Sequence, residues 1–422
     1  MFVLVHAMID PLGAIQIGAG LLATFPLIDH WWRMRRISRW RKLEPGNEKT
    51  DSPIVVVLPI WNEEKIIRLR LDNLAQQQYT GHWSLMIVDS ASTDQGLQII
   101  DTWLNENPNA FSNAPSIVRM PQRLGKTAAV NFALDHIDLE SIVVLTDADV
   151  LISPDSLNRI SRWFGSGSDI GAVSGTPYPI SDPLTSAERN EETYRRFYID
   201  QRIGESIIDS TPIFEGSLLA FRRDVIGNNR LDMTTNADDS QIAIMIRRSG
   251  LKSIFDSELI FHEYIPTDFV ENNRRSIRRA RGLQNLFWMN RDLWLSQKED
   301  QFSRILRRQA WIHLISPVLV MISLVAMFAH IGLTMFRIQN GISMPLADIV
   351  LAFVSSFSIV VFLMGDWIPF GRTLQAYLRG QSILMHVYLD RIIRRNAAIW
   401  EPTQSNRDAL LESSKKKKGS DL

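Results

Sequence analysis

Short apolar runs alternate with polar turns along the first part of the chain. The runs at 54–58, 84–88 and 141–146 have the length of strands and are rich in Val, Ile and Leu. A polar turn follows each run, and a further polar turn at 123–127 precedes a helical stretch. This alternation predicts an α/β fold with a mixed, mostly parallel sheet whose polar turns share one edge. Asn62 and the two acids after it also predict a helix that opens at the first turn.

Three longer apolar segments are predicted to be transmembrane helices. They are Pro11 to Ile28, Ala310 to Phe336 and Ile349 to Gly365, and none of them contains a charged residue. A membrane span needs about 20 mainly apolar residues, which the second segment exceeds and the others approach. A cleaved signal peptide is the alternative for the first segment. Its basic cluster follows the apolar run and no small-residue cleavage site is evident, which favours an anchor.

Basic residues near the segment ends predict the orientation of the chain in the membrane. They cluster after the first segment, before the second and after the third, and only one lies between the second and third. These residues are Arg33, Arg35, Arg36, Arg39, Arg41, Lys42, Arg304, Arg307, Arg308, Arg337, Arg372, Arg379, Arg391, Arg394 and Arg395. We therefore expect a multi-pass protein of the cell membrane with its amino terminus outside. Residues 30–309 and the carboxyl tail are then cytoplasmic, and 337–348 are outside.

The last part of the chain contains an amphipathic stretch. Apolar residues recur at helical spacing from Leu374 to Ile392, with charged residues among them. Such a helix either lies in the membrane surface or packs on a globular domain, and the sequence leaves both open. Lys415 to Lys418 form a basic tail that stays solvated or contacts anionic lipid head groups.

Asp147 and Asp149 follow directly after the predicted strand at 141–146. Two carboxylates one residue apart at the carboxyl end of a strand lie where ligands bind in open α/β folds. Carboxylate oxygens suit hard divalent cations, which are often held by one or two acids and a substrate's phosphates. The pair therefore indicates a metal-assisted reaction on a phosphorylated donor. The alternative is that these acids only cap the strand.

Composition limits the classes of protein that fit. With 422 residues, the chain is longer than a usual single domain, so a core with appendages is expected. The formal net charge is zero, which gives no reason to expect a nucleic-acid partner. The chain contains no cysteine, which excludes disulfides, a thiolate nucleophile and cysteine-bound zinc.

An ordered set of motifs resembles family 2 glycosyltransferases of the GT-A fold. The resemblance covers roughly residues 52–290, and the membrane layout resembles the branch of hyaluronan, cellulose and poly-N-acetylglucosamine synthases. The matching segments are 59–64 (Pro-Ile-Trp-Asn-Glu-Glu), 88–94 (Val-Asp-Ser-Ala-Ser-Thr-Asp), 125–131 (Gly-Lys-Thr-Ala-Ala-Val-Asn), 146–149 (Thr-Asp-Ala-Asp), 236–239 (Asn-Ala-Asp-Asp) and 278–282 (Arg-Arg-Ala-Arg-Gly).

The resemblance implies a division of the chain into five parts. A transmembrane anchor at 1–30 and a basic linker at 31–51 precede a cytoplasmic GT-A domain at 52–300. Two transmembrane helices at 301–370 and an interfacial helix with a basic tail at 371–422 follow it.

The resemblance also implies a donor site and a metal site. Asp149 would bind Mg²⁺ or Mn²⁺, and Asp147 would touch the ribose or the ion's water shell. The remaining donor-site residues are Pro59, which shapes the strand exit, Glu63 and Asp89, which flank the nucleotide base, and Lys126 and Arg278, which reach the diphosphate. For Lys126, a solvated loop lysine is an equal alternative.

The same resemblance places a catalytic base and an acceptor side further along the chain. Asp239 is the candidate base, because a single carboxylate that deprotonates the acceptor suffices for inversion. Glu215, Gly216, Asp238 and Glu263 would lie on the acceptor side. Two acids at a helix start are also typical of capping, which is the alternative for Asp238 and Asp239.

One difference from the synthase branch concerns the length of the product. That branch carries Gln-x-x-Arg-Trp, whereas this chain has Arg-Ser-Ile-Arg-Arg at 275–279. In processive relatives the Trp stacks on the acceptor sugar, so long-chain polymerisation is in doubt.

The function expected from the resemblance is inverting, metal-dependent transfer of a hexose or N-acetylhexosamine. The donor would be UDP- or GDP-linked, and the acceptor a hydroxyl of a lipid-linked or membrane-proximal glycan, with membrane lipid as a further partner. The alternatives are a polyprenyl-phosphate glycosyltransferase, a silent membrane scaffold or nucleotide-sugar sensor, and a transporter. Asp366 is an acid at the edge of the third predicted span, and it gives little support for a transport pathway.

Overall fold

The computed structural model describes residues 9–180, 186–263, 269–296, 300–365, 367, 369–392, 407 and 411. These residues divide between two compact units. The helical unit is drawn from 1–32, 287–297 and 306–395, and the sheet unit from 33–286, 298–305 and 396–422.

The sheet unit contains one mixed sheet, which has eight strands within the described residues. In space the strands follow the order β3-β2-β1-β4-β7-β6-β8-β5. The first four in this order run parallel, β7 is antiparallel to both of its neighbours, and β5 is antiparallel to β8. The strands are β1 Ile54–Ile60, β2 Trp83–Asp89, β3 Ser116–Arg119, β4 Ile142–Thr146, β5 Val150–Ile152, β6 Ile170–Pro179, β7 Leu218–Arg222 and β8 Lys252–Glu263.

Helices connect and cover these strands or form the helical unit. A π-helical turn, Trp311–Ile315, joins two of them. The helices are α1 Pro11–Trp40, α2 Ile67–Ala75, α3 Gly96–Glu106, α4 Lys126–Leu134, α5 Ser156–Trp163, α6 Ser186–Ile208, α7 Arg223–Ile226, α8 Asp238–Arg248, α9 Phe269–Met289, α10 Arg291–Trp294, α11 Gln301–Ala310, α12 Ser316–Gln339, α13 Leu346–Leu363 and α14 Pro369–Ile392.

Both faces of the central strands are buried. Val56 and Val144 belong to one hydrophobic cluster, and the next residues along their strands, Val57 and Leu145, belong to another. Successive side chains of a strand point to opposite faces, so the sheet has a core on each side. With both faces covered, the strand ends are the places where polar side chains collect.

The predicted polar turns do meet at one edge of the sheet. Strands β1, β2 and β4 are parallel, with Ile60 opposite Asp89 and Val57 opposite Leu145, so their carboxyl ends lie together. Strand β7 runs the other way and begins with Leu218 opposite Thr146. The residues just before β7 therefore join the same edge, where a ligand site is expected in an α/β fold.

The predicted helix start in the first polar turn is wrong. Helix α2 begins at Ile67, five residues after Asn62. Asn62 has a φ of 53°, a left-handed conformation that Asn tolerates better than most residues. Its N–H donates to Ser92 Oγ at 3.1 Å, and its Oδ1 accepts from the Thr93 N–H at 2.8 Å. The side chain thus ties two loops of the edge together instead of capping a helix.

The three predicted transmembrane segments fall in helices long and apolar enough to cross a membrane. Among the described residues these candidate spans are Pro11–Trp40, Gln301–Gln339 and Leu346–Leu363. The second includes the π-helical turn and starts earlier than its apolar run. The orientation of the spans stays a prediction.

The predicted amphipathic stretch forms helix α14, which belongs to the helical unit. The Tyr388 hydroxyl donates to the Leu314 carbonyl at 2.6 Å, and Gln375 Nε2 donates to the Phe362 carbonyl at 2.6 Å. The helix therefore contacts two of the candidate spans. Asp366 and the basic tail at 415–418 lie outside the described residues.

Candidate active site

A lysine contacts the acidic turn that follows β4. Lys126 Nζ lies 2.6 Å from Asp147 Oδ1 and also donates to the Gly216 carbonyl at 2.8 Å. The second carboxylate oxygen of Asp147 accepts from Ser217 Oγ at 3.2 Å. Burial acts to lower the pKa of Lys126, but Asp147 and Asp238 outweigh it and hold that pKa above its usual value. Lys126 therefore pairs with the acidic turn, and its contact with the diphosphate stays a prediction.

Asp149 lies at the other end of this turn, beside a second acid. Burial and the nearby charge of Asp147 raise the pKa of Asp149, while Arg275 opposes the shift. Glu263 is the ladder partner of Val150, the residue after Asp149, and its Oε2 lies 3.2 Å from Arg275 Nη2. Asp149 therefore occupies a crowded acidic position where a bound cation would relieve repulsion.

The donor set fits an ion that is held partly by a substrate. Asp147 and Asp149 supply hard carboxylate oxygens, whereas no group of three or more His, Cys, Asp or Glu with metal-binding geometry occurs in the described part of the chain. One or two carboxylates with substrate phosphates and water are a usual environment for Mg²⁺.

The two acids at 238 and 239 begin helix α8, and their charges act on Lys126. Burial and the charge of Asp238 raise the pKa of Asp239 to about 7. Burial also raises the pKa of Asp238, although Lys126 opposes this shift. The residue before the helix, Ala237, has no capping side chain, and Asp239 Oδ1 accepts only from the N–H of the following Ser240 among its described bonds, at 2.6 Å.

Lys126 and Asp239 approach each other at Gly216. A Cβ atom built on Gly216 would lie 3.1 Å from Asp239 Oδ2 and 3.4 Å from Lys126 Nζ. Because the Gly216 carbonyl accepts from Lys126, this one glycine contacts both halves of the site. The absence of a side chain leaves room for Lys126 and Asp239 to approach.

Helix α9 supplies the positive charge of the site. Burial and the neighbouring Arg275 and Arg279 lower the pKa of Arg278 to about 10, although Asp238 and Asp147 oppose the shift. Arg278 thus lies close enough to Asp147 and Asp238 to interact with the charges of both.

Glu215 is held by two arginines. It contacts Arg202 Nη1 through one oxygen and lies 3.5 Å from Arg279 Nη2 through the other. Burial acts to raise the pKa of Glu215, but Arg202 and Arg279 outweigh it and hold the pKa below its usual value. The acid is thus ionised and fixed in place.

Glu63 and Asp89 follow the two neighbouring strands β1 and β2. Glu63 is buried and paired with Arg407, whose Nε and Nη2 donate to its two carboxylate oxygens at 2.7 and 2.5 Å. Burial nevertheless raises the pKa of Glu63 to about 7. Asp89 Oδ1 accepts from the Ser92 N–H at 3.0 Å, which shapes the loop after β2. Pro59 lies beyond the last β1–β4 pair, so its missing N–H costs no bond of that ladder.

Sequence reasoning missed several residues of the site. Arg202 and Ser217 hold site carboxylates, and their types and positions give no signal without the fold. Arg70 carries a signal: it lies in the apolar stripe of α2 with Ile67, Leu71 and Leu74, a position where a charged residue requires an explanation.

The sequence and the fold of this chain are similar to those of known glycosyltransferases. Residues 55–230 match the model of glycosyl transferase family 2. The catalytic component of the UDP-forming cellulose synthase of Dictyostelium discoideum is 32% identical over 154 residues, which span 34% of this chain and 14% of that protein. The mannosyltransferase PcManGT from Pyrobaculum calidifontis, solved in complex with GDP-Man and Mn²⁺, has a TM-score of 0.72 and 26% identity. The likeness covers 91% of this chain and 100% of that one.

Proposed function

Because residues 55–230 form a family 2 glycosyltransferase domain of the GT-A fold, we propose a specific reaction for this membrane glycosyltransferase. It transfers a sugar, with inversion, from a nucleotide-sugar donor to a hydroxyl of a lipid-linked or membrane-proximal glycan. The reaction depends on Mg²⁺ or Mn²⁺. The family domain sets aside the alternatives of a transporter and of a silent sensor or scaffold.

One observation carries this proposal: Lys126 and Gly216 join the two halves of the chemistry. Lys126 contacts Asp147 of the acidic turn at 2.6 Å, and Gly216 approaches Asp239. A donor whose diphosphate lies at the acidic turn therefore has its reacting carbon within reach of Asp239. Transfer needs this proximity of leaving group and base.

Asp149, with support from Asp147, is the residue that would hold the divalent ion. PcManGT was solved with Mn²⁺ and GDP-Man, and the crowded carboxylates of this chain suit a hard cation. When bound, the ion offsets the negative charge that builds on the departing diphosphate. Lys126 and Arg278 add positive charge for the same phosphates.

Asp239 would act as the general base. The bond between the anomeric carbon and the donor phosphate oxygen breaks, and the nucleoside diphosphate leaves with the bonding electrons. The acceptor oxygen forms the new bond from the opposite face and passes its proton to Asp239. A base whose pKa lies near the working pH suits this role, and the pKa of Asp239 is raised to about 7.

Further residues would bind the nucleotide and the acceptor. Glu63 and Asp89 flank the base from the ends of two neighbouring strands, and Pro59 shapes the exit of the first. The comparisons include a GDP-Man complex and a UDP-forming synthase, so both nucleotides are candidate donors. On the acceptor side, Glu215, Gly216, Asp238 and Glu263 line the approach to Asp239.

A polyprenyl-phosphate acceptor is a second candidate, which the arginines of α9 favour. Arg275, Arg278 and Arg279 lie within reach of the site carboxylates, and guanidinium groups bind phosphate well. A phosphate acceptor is already ionised, so its attack would not require Asp239. The role of Asp239 therefore distinguishes the two candidates.

The proposed place of the enzyme is the cell membrane, with the sheet unit cytoplasmic. Three candidate spans and the basic residues at their ends support this orientation. Protease added outside intact cells should leave residues 52–300 uncut, and cleavage there would contradict it.

The decisive assay is a panel of radiolabelled UDP- and GDP-sugars with native membranes and Mn²⁺ or Mg²⁺. Lipid extraction separates a lipid-linked product from a polymer, and mild acid releases sugar from a polyprenyl phosphate. We expect transfer to the lipid fraction by the wild type, abolished by chelation and by D239N. D224N is the matched control, because Asp224 is exposed and its Oδ1 also accepts from the next N–H, at 2.9 Å. Transfer by D239N at the wild-type rate would favour the phosphate acceptor, and metal-independent transfer would exclude the proposal.

A further inference from the structure

Arg70 is a buried guanidinium behind the acidic turn. It is 1% exposed and shares the core-facing stripe of helix α2 with three apolar residues. Burying a charge is costly unless the surrounding groups bind it. The contacts of Arg70 therefore indicate what the charge does in this position.

These contacts reach both ends of the turn that carries the two aspartates. Arg70 Nη2 donates to Thr146 Oγ1 at 2.7 Å, and Nη1 donates to Asn73 Oδ1. The same Asn73 oxygen accepts from the Ile152 N–H at 3.0 Å, while Asn73 Nδ2 donates to the Ile152 carbonyl at 2.9 Å. Thr146 is the last residue of β4 and Ile152 the last of β5. Arg70 and Asn73 thus bind the residues at the two ends of the segment 147–151.

The hydrogen bonds of Arg70 connect through Thr146 to Ser217. Thr146 Oγ1, which accepts from Arg70, donates to the Ser217 carbonyl at 3.0 Å. The Asp147 N–H donates to the same carbonyl at 3.3 Å, and Ser217 Oγ donates to the Asp147 carboxylate. The orientation of Asp147 is therefore linked to Arg70 through two buried hydroxyl-bearing residues.

The charge of Arg70 also responds to the two aspartates. Burial lowers the pKa of Arg70 to about 9, and Asp147 and Asp149 oppose the shift. The guanidinium remains protonated at neutral pH. It places a fixed positive charge behind two carboxylates that repel each other.

We propose that Arg70 is a positioning residue of the donor site. It holds the turn at 147–151 by its hydrogen bonds and so fixes the direction of both carboxylates toward the ion and the diphosphate. Arg70 touches neither the ion nor the donor. This inference rests on the proposed function, because it assigns Arg70 a part in binding the proposed ion.

The test uses variants that separate geometry from charge. R70K keeps the positive charge but loses the planar fork that reaches Thr146 and Asn73 together. T146V keeps the shape of the strand end but removes the hydroxyl that Arg70 binds. R68K is the matched control, because Arg68 lies on the same helix but pairs with Glu106 at the surface.

Mn²⁺ is titrated into the full-length protein in detergent, alone and with GDP or UDP. Bound ion is read as loss of the free Mn²⁺ signal in electron paramagnetic resonance, and melting without metal reports folding. We expect R70K to bind Mn²⁺ about tenfold more weakly. A change of this size is usual when a residue that orients a metal ligand is replaced. T146V should be weakened in the same direction, and R68K should match the wild type. The two changes should be less than additive in R70K/T146V, since each of them breaks the bond between Arg70 and Thr146.

D149N separates the failure of this inference from failure of the proposed function. If D149N loses Mn²⁺ binding while folded R70K and T146V bind as the wild type does, Arg70 has no positioning role. If D149N itself binds Mn²⁺ like the wild type, the proposed metal site is wrong and the role of Arg70 falls with it. If T146V does not fold, R70K alone decides.

Discussion

Asp239 shows how the surroundings of one residue prepare it for chemistry. An exposed aspartate has lost its proton already at a pH far below 7, so its carboxylate is a weak base. Burial and the adjacent Asp238 raise the pKa of Asp239 to about 7, while Lys126 opposes part of the shift. The carboxylate is thus basic enough to accept a proton and remains largely ionised at slightly alkaline pH.

We expect the rate of transfer to rise between about pH 6 and pH 8. The raised pKa means that Asp239 is mostly protonated below pH 7 and cannot accept the proton of the acceptor there. A pH profile of kcat at saturating donor and ion should level off above the pKa. D239N should lose both the activity and the rising limb, whereas D224N should keep both. A flat profile in the wild type would argue against a base with a pKa this high.

Gly216 should tolerate no side chain. An added Cβ would lie 3.1 Å from Asp239 Oδ2 and 3.4 Å from Lys126 Nζ, so one of them must move by a few tenths of an ångström. We expect G216A to lower kcat by about tenfold, since small misplacements of reacting groups are costly. G46A is the control, because nothing lies within 4 Å of a Cβ at Gly46. Equal activities of the two variants would contradict the role of Gly216.

At the level of elements, contacts between distant parts of the chain complete the site. Glu63 follows β1, and Arg407 lies 344 residues further on, yet their side chains form a buried two-point ion pair. Arg407 therefore contributes to the loop proposed to bind the nucleotide base.

R407A should weaken both folding and donor binding. Removing one partner of a buried ion pair typically costs about 3–5 kcal/mol, and proton uptake by Glu63, whose pKa is already raised to about 7, should hold the cost below that range here. Unfolding of the metal-free protein and the KM for donor both test this, and KM should rise. R68A, which breaks the exposed pair with Glu106, should change the free energy of unfolding by at most about 1 kcal/mol. Similar effects of both variants would refute a special role for Arg407.

The elements that the sequence predicted are those whose residues carry a local pattern. Strands β1, β2 and β4 are apolar runs of strand length, and the acidic turn follows directly from its spacing after β4. The start of α2 could not be predicted, because Asn62 bonds to the loop at 92–93 instead of capping a helix. Arg70 acts through contacts with residues far away in sequence, and local patterns do not report such contacts.

At the level of the whole molecule, the chain combines a sheet unit with a helical unit. The family match covers 55–230, whereas Asp239 and the arginines of α9 lie beyond it. The likeness to PcManGT extends over 91% of the chain, well beyond the length of the family match. The five-part division of the chain and its orientation in the membrane stay predictions, because they depend on a bilayer that sequence spacing reports only indirectly.

Anomalous diffraction at the manganese edge, from crystals grown with Mn²⁺ and GDP or UDP, would locate the ion and the diphosphate together. We expect one manganese peak within coordinating distance of the Asp149 carboxylate and of the diphosphate. Lys126 should lie beside the same phosphates, and Asp239 should face the space left for the sugar. A peak bound away from the 147–149 turn, or a diphosphate that does not reach it, would contradict a metal-bridged donor in this site.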